Sequence, residues 1–98
     1  MKILALENEL PGLSAKDFAP YLEAEAQRVW ELQQADLIRE IYFRPDLHSA
    51  VLVLECESLP EAESILASLP LVSNSLIRFE LVPLAPYSGY SRLFSKQG

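Results

Sequence analysis

The chain has 98 residues, of which half are hydrophobic, and 8 Lys and Arg face 14 Asp and Glu for a net charge of −6. That length holds one domain and no second independent core, and the acidic excess argues against nucleic acid or an anionic membrane as partner. No apolar run is long enough for a bilayer span, Glu7 and Glu9 interrupt any signal-peptide core, and one Cys and one His leave neither a disulfide framework nor a Cys/His metal site; a cytoplasmic protein without metal or cofactor is expected.

Residues 1–7, MKILALE, are a short apolar run that reads as a strand, and Pro11-Gly12 marks the loop after it. A helix follows from Asp17, the expected N-cap, to about Ala35, with Pro20 tolerated in its first turn. Residues 37–44, LIREIYFR, alternate and contain Ile, Tyr and Phe, which predicts a second strand closed by Pro45-Asp46. Residues 48–56, HSAVLVLEC, form the third strand, apolar on both parities at its centre. Ser58-Leu59-Pro60-Glu61 has the spacing of a capping box, and Ala62, Ile65, Leu66 and Leu69 recur at helical intervals until Pro70 ends the second helix. Residues 76–82, LIRFELV, alternate as a fourth strand stopped by Pro83 and Pro86.

This order predicts an α+β fold, the ferredoxin-like βαββαβ sandwich: one four-stranded antiparallel sheet with both helices on one face. Residues 1–84 make the domain. Residues 85–98 are a C-terminal tail that packs on its own or a partner subunit.

Two helices cover only one face of such a sheet. Ile77, Phe79 and Leu81 are the purely apolar parity of the fourth strand and belong under the helices, so Arg78, Glu80 and Val82 face away. Val51, Val53 and Glu55 do the same on the third strand, and Glu40, Tyr42 and Arg44 form the polar side of the second. An apolar patch carrying embedded charges predicts burial by a second copy, in a homodimer or higher homo-oligomer paired sheet to sheet. Glu40, Arg44, Val51, Val53, Arg78 and Glu80, with Tyr87 and Tyr90 of the tail, are the candidate interface residues.

The apolar stripe of the first helix is Phe18, Leu22, Val29 and Leu32, and Glu25 falls in its middle. A carboxylate against a sheet is costly unless paired or protonated. If residues 37, 39, 41 and 43 face the first helix, Arg39 shares a cleft with Glu25, and His48 lies on the helix-facing parity of the third strand. The plain reading is a Glu25–Arg39 ion pair with His48 at an exposed turn. The functional reading makes Glu25 an acid/base assisted by His48, with Arg39 binding a substrate carboxylate. Trp30 borders the stripe and is first of all a packing residue; with Tyr42 it is counted among candidate substrate-binding residues. Cys56, at a strand end, reads as a small buried hydrophobe.

In residues 68–84, SLPLVSNSLIRFELVPL, the chain resembles the muconolactone isomerases and their relatives, which likewise carry Ser-Leu-Pro-Leu (Ser68–Leu71) after the second helix and a last strand with Glu (Glu80) before Pro-Leu (Pro83-Leu84). Glu31-Leu32-Gln33 and Glu57-Ser58 match as well, and the likeness runs without gaps from about Glu25 to Leu84. The resemblance implies a dimeric α+β barrel whose subunits pair through their sheets and assemble up to a decamer. It implies an isomerase that shifts a double bond in a small unsaturated lactone acid by removing a proton at one carbon and returning it at another, without cofactor. A Glu of the family aligns at Glu25 and an Arg at Arg39. The chain departs from the family at Glu40, Phe43 and Leu47, where the enzyme has His and a second Arg, and in the tail PYSGYSRLF. A non-catalytic oligomeric binding protein and a cofactor-free monooxygenase on the same scaffold are the alternatives.

Overall fold

The computed structural model describes residues 1–94. β1 (Lys2–Glu9), α1 (Ala15–Phe18), a 3-10 turn (Ala19–Tyr21) and α2 (Leu22–Gln34) lead to β2 (Ile38–Phe43) and β3 (Ala50–Glu55). α3 (Leu59–Ala67), α4 (Pro70–Ser73), β4 (Ile77–Leu84) and α5 (Ser91–Phe94) follow. The sheet order is β2-β3-β1-β4 with every pairing antiparallel, which is the ferredoxin-like arrangement with β1 and β3 central.

The core forms where the helices cover the sheet. Ile3 and Ala5 of β1 and Leu52 and Leu54 of β3 are buried against Leu32 of α2 and Ala62, Ile65 and Leu66 of α3. Strand alternation makes this possible, because residues two apart share a face. The same alternation continues past Ala5 to Glu7 and turns its side chain to the helix side. The opposite face carries Leu4, Leu6, Val51, Val53 and Val82, all half-buried with no helix over them.

Local chemistry moves several boundaries from where the sequence pattern puts them. Asp17 is not the N-cap of the first helix. Ser14 starts α1, and the Asp17 carboxylate reaches back to accept the Ser14 N–H at 2.7 Å, the reciprocal half of a capping box. Pro20 breaks the helical ladder, so the expected single helix becomes α1, a 3-10 turn and α2. The chain turns out of α2 at Asp36, past the Ala35 cap, where a φ of 63° is tolerated by a short polar side chain, while Leu37 N–H closes on Leu32 O at 3.0 Å. Ser58 caps α3 by accepting Glu61 N–H at 3.2 Å. Pro70 ends the apolar run but also opens α4, where the missing N–H of a first helical residue costs nothing. Pro83 lies inside β4 rather than stopping it, because β4 is an edge strand and needs donors on one side only.

The largest departure is on β2. Ile38 is opposite Leu54, Glu40 is opposite Val53, and Arg39 between them is the extra residue of a β-bulge. The bulge shifts the parity. Ile38 and Ile41 both turn toward the helices, Ile38 being 2% exposed, and Arg39 does not. The tail beyond β4 does not fold back onto its own sheet. Tyr87, Tyr90, Leu93 and Phe94 are exposed, with Tyr87 and Tyr90 in edge-to-face contact at 4.9 Å. Residues 95–98 of the expected tail lie outside the described residues.

Candidate functional site

Between α1, α2 and the sheet lies a cleft of about 670 Å³. α2 supplies one wall with Leu22, Val29 and the half-exposed Trp30; β2 and β3 supply the floor with Ile41 and Leu52; Phe18 and Phe79 close one end. The volume falls within the usual range for small-molecule sites, roughly 300–1,000 Å³.

Two carboxylates enter this apolar space from opposite sides. Glu25 projects from α2, and its Oε1 accepts the Leu71 N–H at 2.9 Å. Pro70 has no N–H, so Leu71 is the first residue of α4 with a donor to satisfy, and Glu25 supplies the acceptor that α4 lacks locally. Glu7 projects from β1, and its Oε1 accepts the Ala50 N–H at 2.9 Å. Leu6 and Val51 are the last residues in register between β1 and β3, so the Glu7 side chain satisfies the donor just past the end of that ladder.

Each carboxylate thus spends one oxygen on a backbone amide. Neither Oε2 makes a hydrogen bond among the described residues, and no fully buried side-chain oxygen there is left without a partner, so both Oε2 atoms keep some solvent access. Burial holds the pKa of each group above the ordinary glutamate value, with the backbone N–H offsetting part of the effect. The Glu7 carboxylate raises Glu25 further; Glu9 raises Glu7, and His48 lowers it.

His48 sits on the rim at φ 54°, its ring stacked on Phe43 at 5.0 Å. The structure therefore brings Glu25, His48 and Trp30 to one cleft. It does not bring Arg39 or Tyr42. The bulge removes Arg39 from the helix-facing parity; its Nε donates to Asp36 O at 2.8 Å, and after the N-terminal ammonium, whose hydrogen bond does most to lower the pKa of Glu55 on the other face, the Arg39 charge adds to that lowering. No Glu25–Arg39 ion pair exists. Tyr42 pairs with Val51 on the bare face, and its hydroxyl donates to Glu40 at 2.8 Å. Arg44 is paired with Asp46 of its own turn at 2.9 Å, which occupies the charge expected to reach across an interface. Val51, Val53, Arg78 and Glu80 are on the bare face.

Glu7, Glu9 and Gln33 are the polar lining residues that pattern reading passes over. The Ile3-Ala5-Glu7 alternation was the available signal for the first. Cys56 is buried, and its burial pushes the thiol above its ordinary value, so it is no candidate nucleophile. Among the described residues, no three His, Cys, Asp or Glu side chains converge as metal ligands, and no helix is long and apolar enough to cross a membrane.

Fold and cleft define a ferredoxin-like α+β protein with two glutamates in an apolar ligand-sized pocket. The chain is similar in structure to 5-chloro-2-hydroxyhydroquinone dehydrochlorinase from Burkholderia phenoliruptrix AC1100, solved in complex with 2,5-dihydroxybenzoquinone. The TM-score is 0.71 at 17% sequence identity, over 91% of this chain and 98% of that one. At that identity the likeness establishes the fold. No protein-family model matches the sequence, and no curated protein matches it.

Proposed function

We propose that the protein is a cofactor-free acid–base enzyme acting on a small cyclic substrate, with Glu25 and Glu7 as its proton-transferring pair. The observation that carries this reading is the pair itself: two carboxylates of raised pKa, each anchored through one oxygen and open through the other, facing one apolar cleft. A group poised nearer neutral pH serves better as acid or base, and neighbouring carboxylates favour a state with one proton between them. A double-bond shift needs that set. The ionised carboxylate takes a proton as a C–H bond breaks, the π electrons move along the ring, and the protonated partner delivers a proton to the carbon that gains electron density. His48 at the rim supports the charge change. That the dehydrochlorinase of the same fold was solved with a small hydroxylated quinone supports a ring-shaped ligand.

The test is a simple uncharged unsaturated lactone with an acidic ring C–H, 5-methyl-2(3H)-furanone, followed by proton NMR in D₂O. Wild type should accelerate deuterium uptake and the double-bond shift over buffer. Glu25→Gln should lose a factor of about 10²–10⁴, the usual contribution of a positioned acid or base. A wild-type rate equal to that of buffer, at lactone concentrations that shift the Trp30 indole resonance, contradicts the reading.

A second reading has an observation of its own. Both carboxylates satisfy backbone donors, and a purely structural role needs no more than that. On this reading the chain is a binding or assembly protein, and Glu→Gln at either position changes stability only.

We also infer that the bare sheet face pairs with the same face of a second copy. Leu4, Leu6, Val51, Val53 and Val82 form its apolar centre, and Arg78 and Glu80 lie beside each other with opposite charge on β4. A two-fold axis brings such opposite charges together. The exposed aromatic tail then has a partner surface to pack on.

A further inference from the structure

The acid–base reading leaves the charge of the substrate open, and the cleft lining decides it. Its polar groups are Glu7, Glu9, Glu25, Gln33 and His48. Among the described residues, no Lys or Arg lines it. Lys16 of α1 is not among the lining residues, and three arginines of the flanking elements are committed elsewhere. Arg39 donates to Asp36 O at 2.8 Å beyond the β2 bulge, and Arg44 is paired with Asp46 at 2.9 Å. Arg28, on α2, is paired with Glu31 at 3.1 Å and donates to Ser68 at 2.9 Å. A ligand carboxylate placed here would meet like charge with no guanidinium in the lining to receive it.

The two open Oε2 atoms set the opposite requirement. An ionised carboxylate is an acceptor only, so the ionised member of the pair asks for a donor from the ligand. The flanking rings of Phe18, Trp30, Phe43 and Phe79 suit the faces and edges of a flat ring.

We propose that the cleft takes a non-anionic ring bearing an O–H or N–H donor, aimed at the ionised member of the Glu7–Glu25 pair, and rejects the carboxylate-bearing analogue. This rests on the acid–base reading and narrows it. It also sets the chain apart from an enzyme built to hold a lactone acid, because Arg39, the arginine expected to bind the acid, is held at Asp36 O and does not line the cleft.

The chain has one Trp, and it lines the cleft, so the Trp30 indole N–H gives a single resolved reporter in a proton–nitrogen correlation spectrum. Four probes of one size are titrated at pH 7.5: 4-methylphenol, 4-methylbenzylamine, 4-methylbenzoate and 4-methylanisole. The phenol or the amine should shift Trp30 with at least about tenfold tighter binding than the benzoate or the anisole, a difference of about 1.4 kcal/mol. Which of the two binds names the donor as hydroxyl or ammonium. The advantage should vanish in the Glu7→Gln/Glu25→Gln double variant, which keeps a carbonyl acceptor for each backbone amide. Benzoate binding as tightly as the donor probes overturns the inference and leaves the acid–base reading standing, as does anisole binding equally well or an advantage that survives the double variant. No shift from any probe overturns both.

Discussion

Replacing Glu25 separates its two roles. In Glu25→Ala the Leu71 N–H loses its acceptor in a residue that is 8% exposed. A hydrogen bond to a charged group contributes about 1.5–3 kcal/mol, and an orphaned buried donor costs about 1–3 kcal/mol. Two effects reduce the net loss. Glu25 is only partly buried, so water competes for the contact, and its removal also relieves the desolvation that raises its pKa. A net destabilisation of about 1–2 kcal/mol remains. For a domain of this size that lowers Tm by roughly 4–16 °C. Glu25→Gln keeps an oxygen in place for Leu71 and removes the charge, so its Tm should stay within about 4 °C of wild type. Thermal unfolding followed by circular dichroism, at one protein concentration for all variants, reads both. An Ala variant as stable as wild type would show that Glu25 does not hold α4. Equal losses for Ala and Gln would show that the charge, not the acceptor, is what Leu71 needs.

Arg39→Ala should change stability by no more than about 0.5 kcal/mol in a denaturant titration, as for an exposed side chain, and leave probe binding at Trp30 unchanged; a buried ion pair would instead cost about 3–5 kcal/mol. Stability should depend on pH in the sense set by raised carboxyl groups. The contribution of Glu7 and Glu25 is fully present below the unfolded glutamate pKa, near 4.3, and is lost as pH rises through their higher folded values. Glu7→Gln/Glu25→Gln should flatten the decline of stability between about pH 4.3 and neutrality, and an unchanged slope would refute the assignment. Glu31, Asp46 and Glu55, all lowered, act in the opposite sense at lower pH, where their contribution is lost as pH falls. Val53→Lys places a charge at the centre of the bare sheet face and should convert a wild-type dimer to monomer in sedimentation velocity; a monomeric wild type contradicts the pairing.

The architecture was legible because its signals are repeated. Each strand carries several alternating positions, and Leu52, Leu54, Ile77, Phe79 and Leu81 lie on the side that alternation assigns them. The misplacement of Arg39 has a single-residue cause. A β-bulge inserts one position and flips every parity before it, and nothing in LIREIYF marks which residue is extra. The burial of Ile38 favours the bulge, since strict alternation would turn that isoleucine to the bare face. Glu25 was legible as a charge in the middle of an apolar stripe. Its partner was not, because the Leu71 N–H is a backbone donor freed by Pro70, and backbone donors leave no residue-type signature. Glu7 was hidden by its place near the end of a strand, where an acidic residue ordinarily marks the approach to solvent.

On the proposed function, Glu7 and Glu25 form one proton-holding pair in the cleft. Side-chain carboxyl carbons of ¹³C-labelled protein, titrated by NMR, report on it directly. Both groups should titrate above ordinary glutamate, and Glu7→Gln should lower the pKa of Glu25 by removing the neighbouring charge. Two carboxyls that titrate at or below the ordinary value, each indifferent to the loss of the other, would contradict the account.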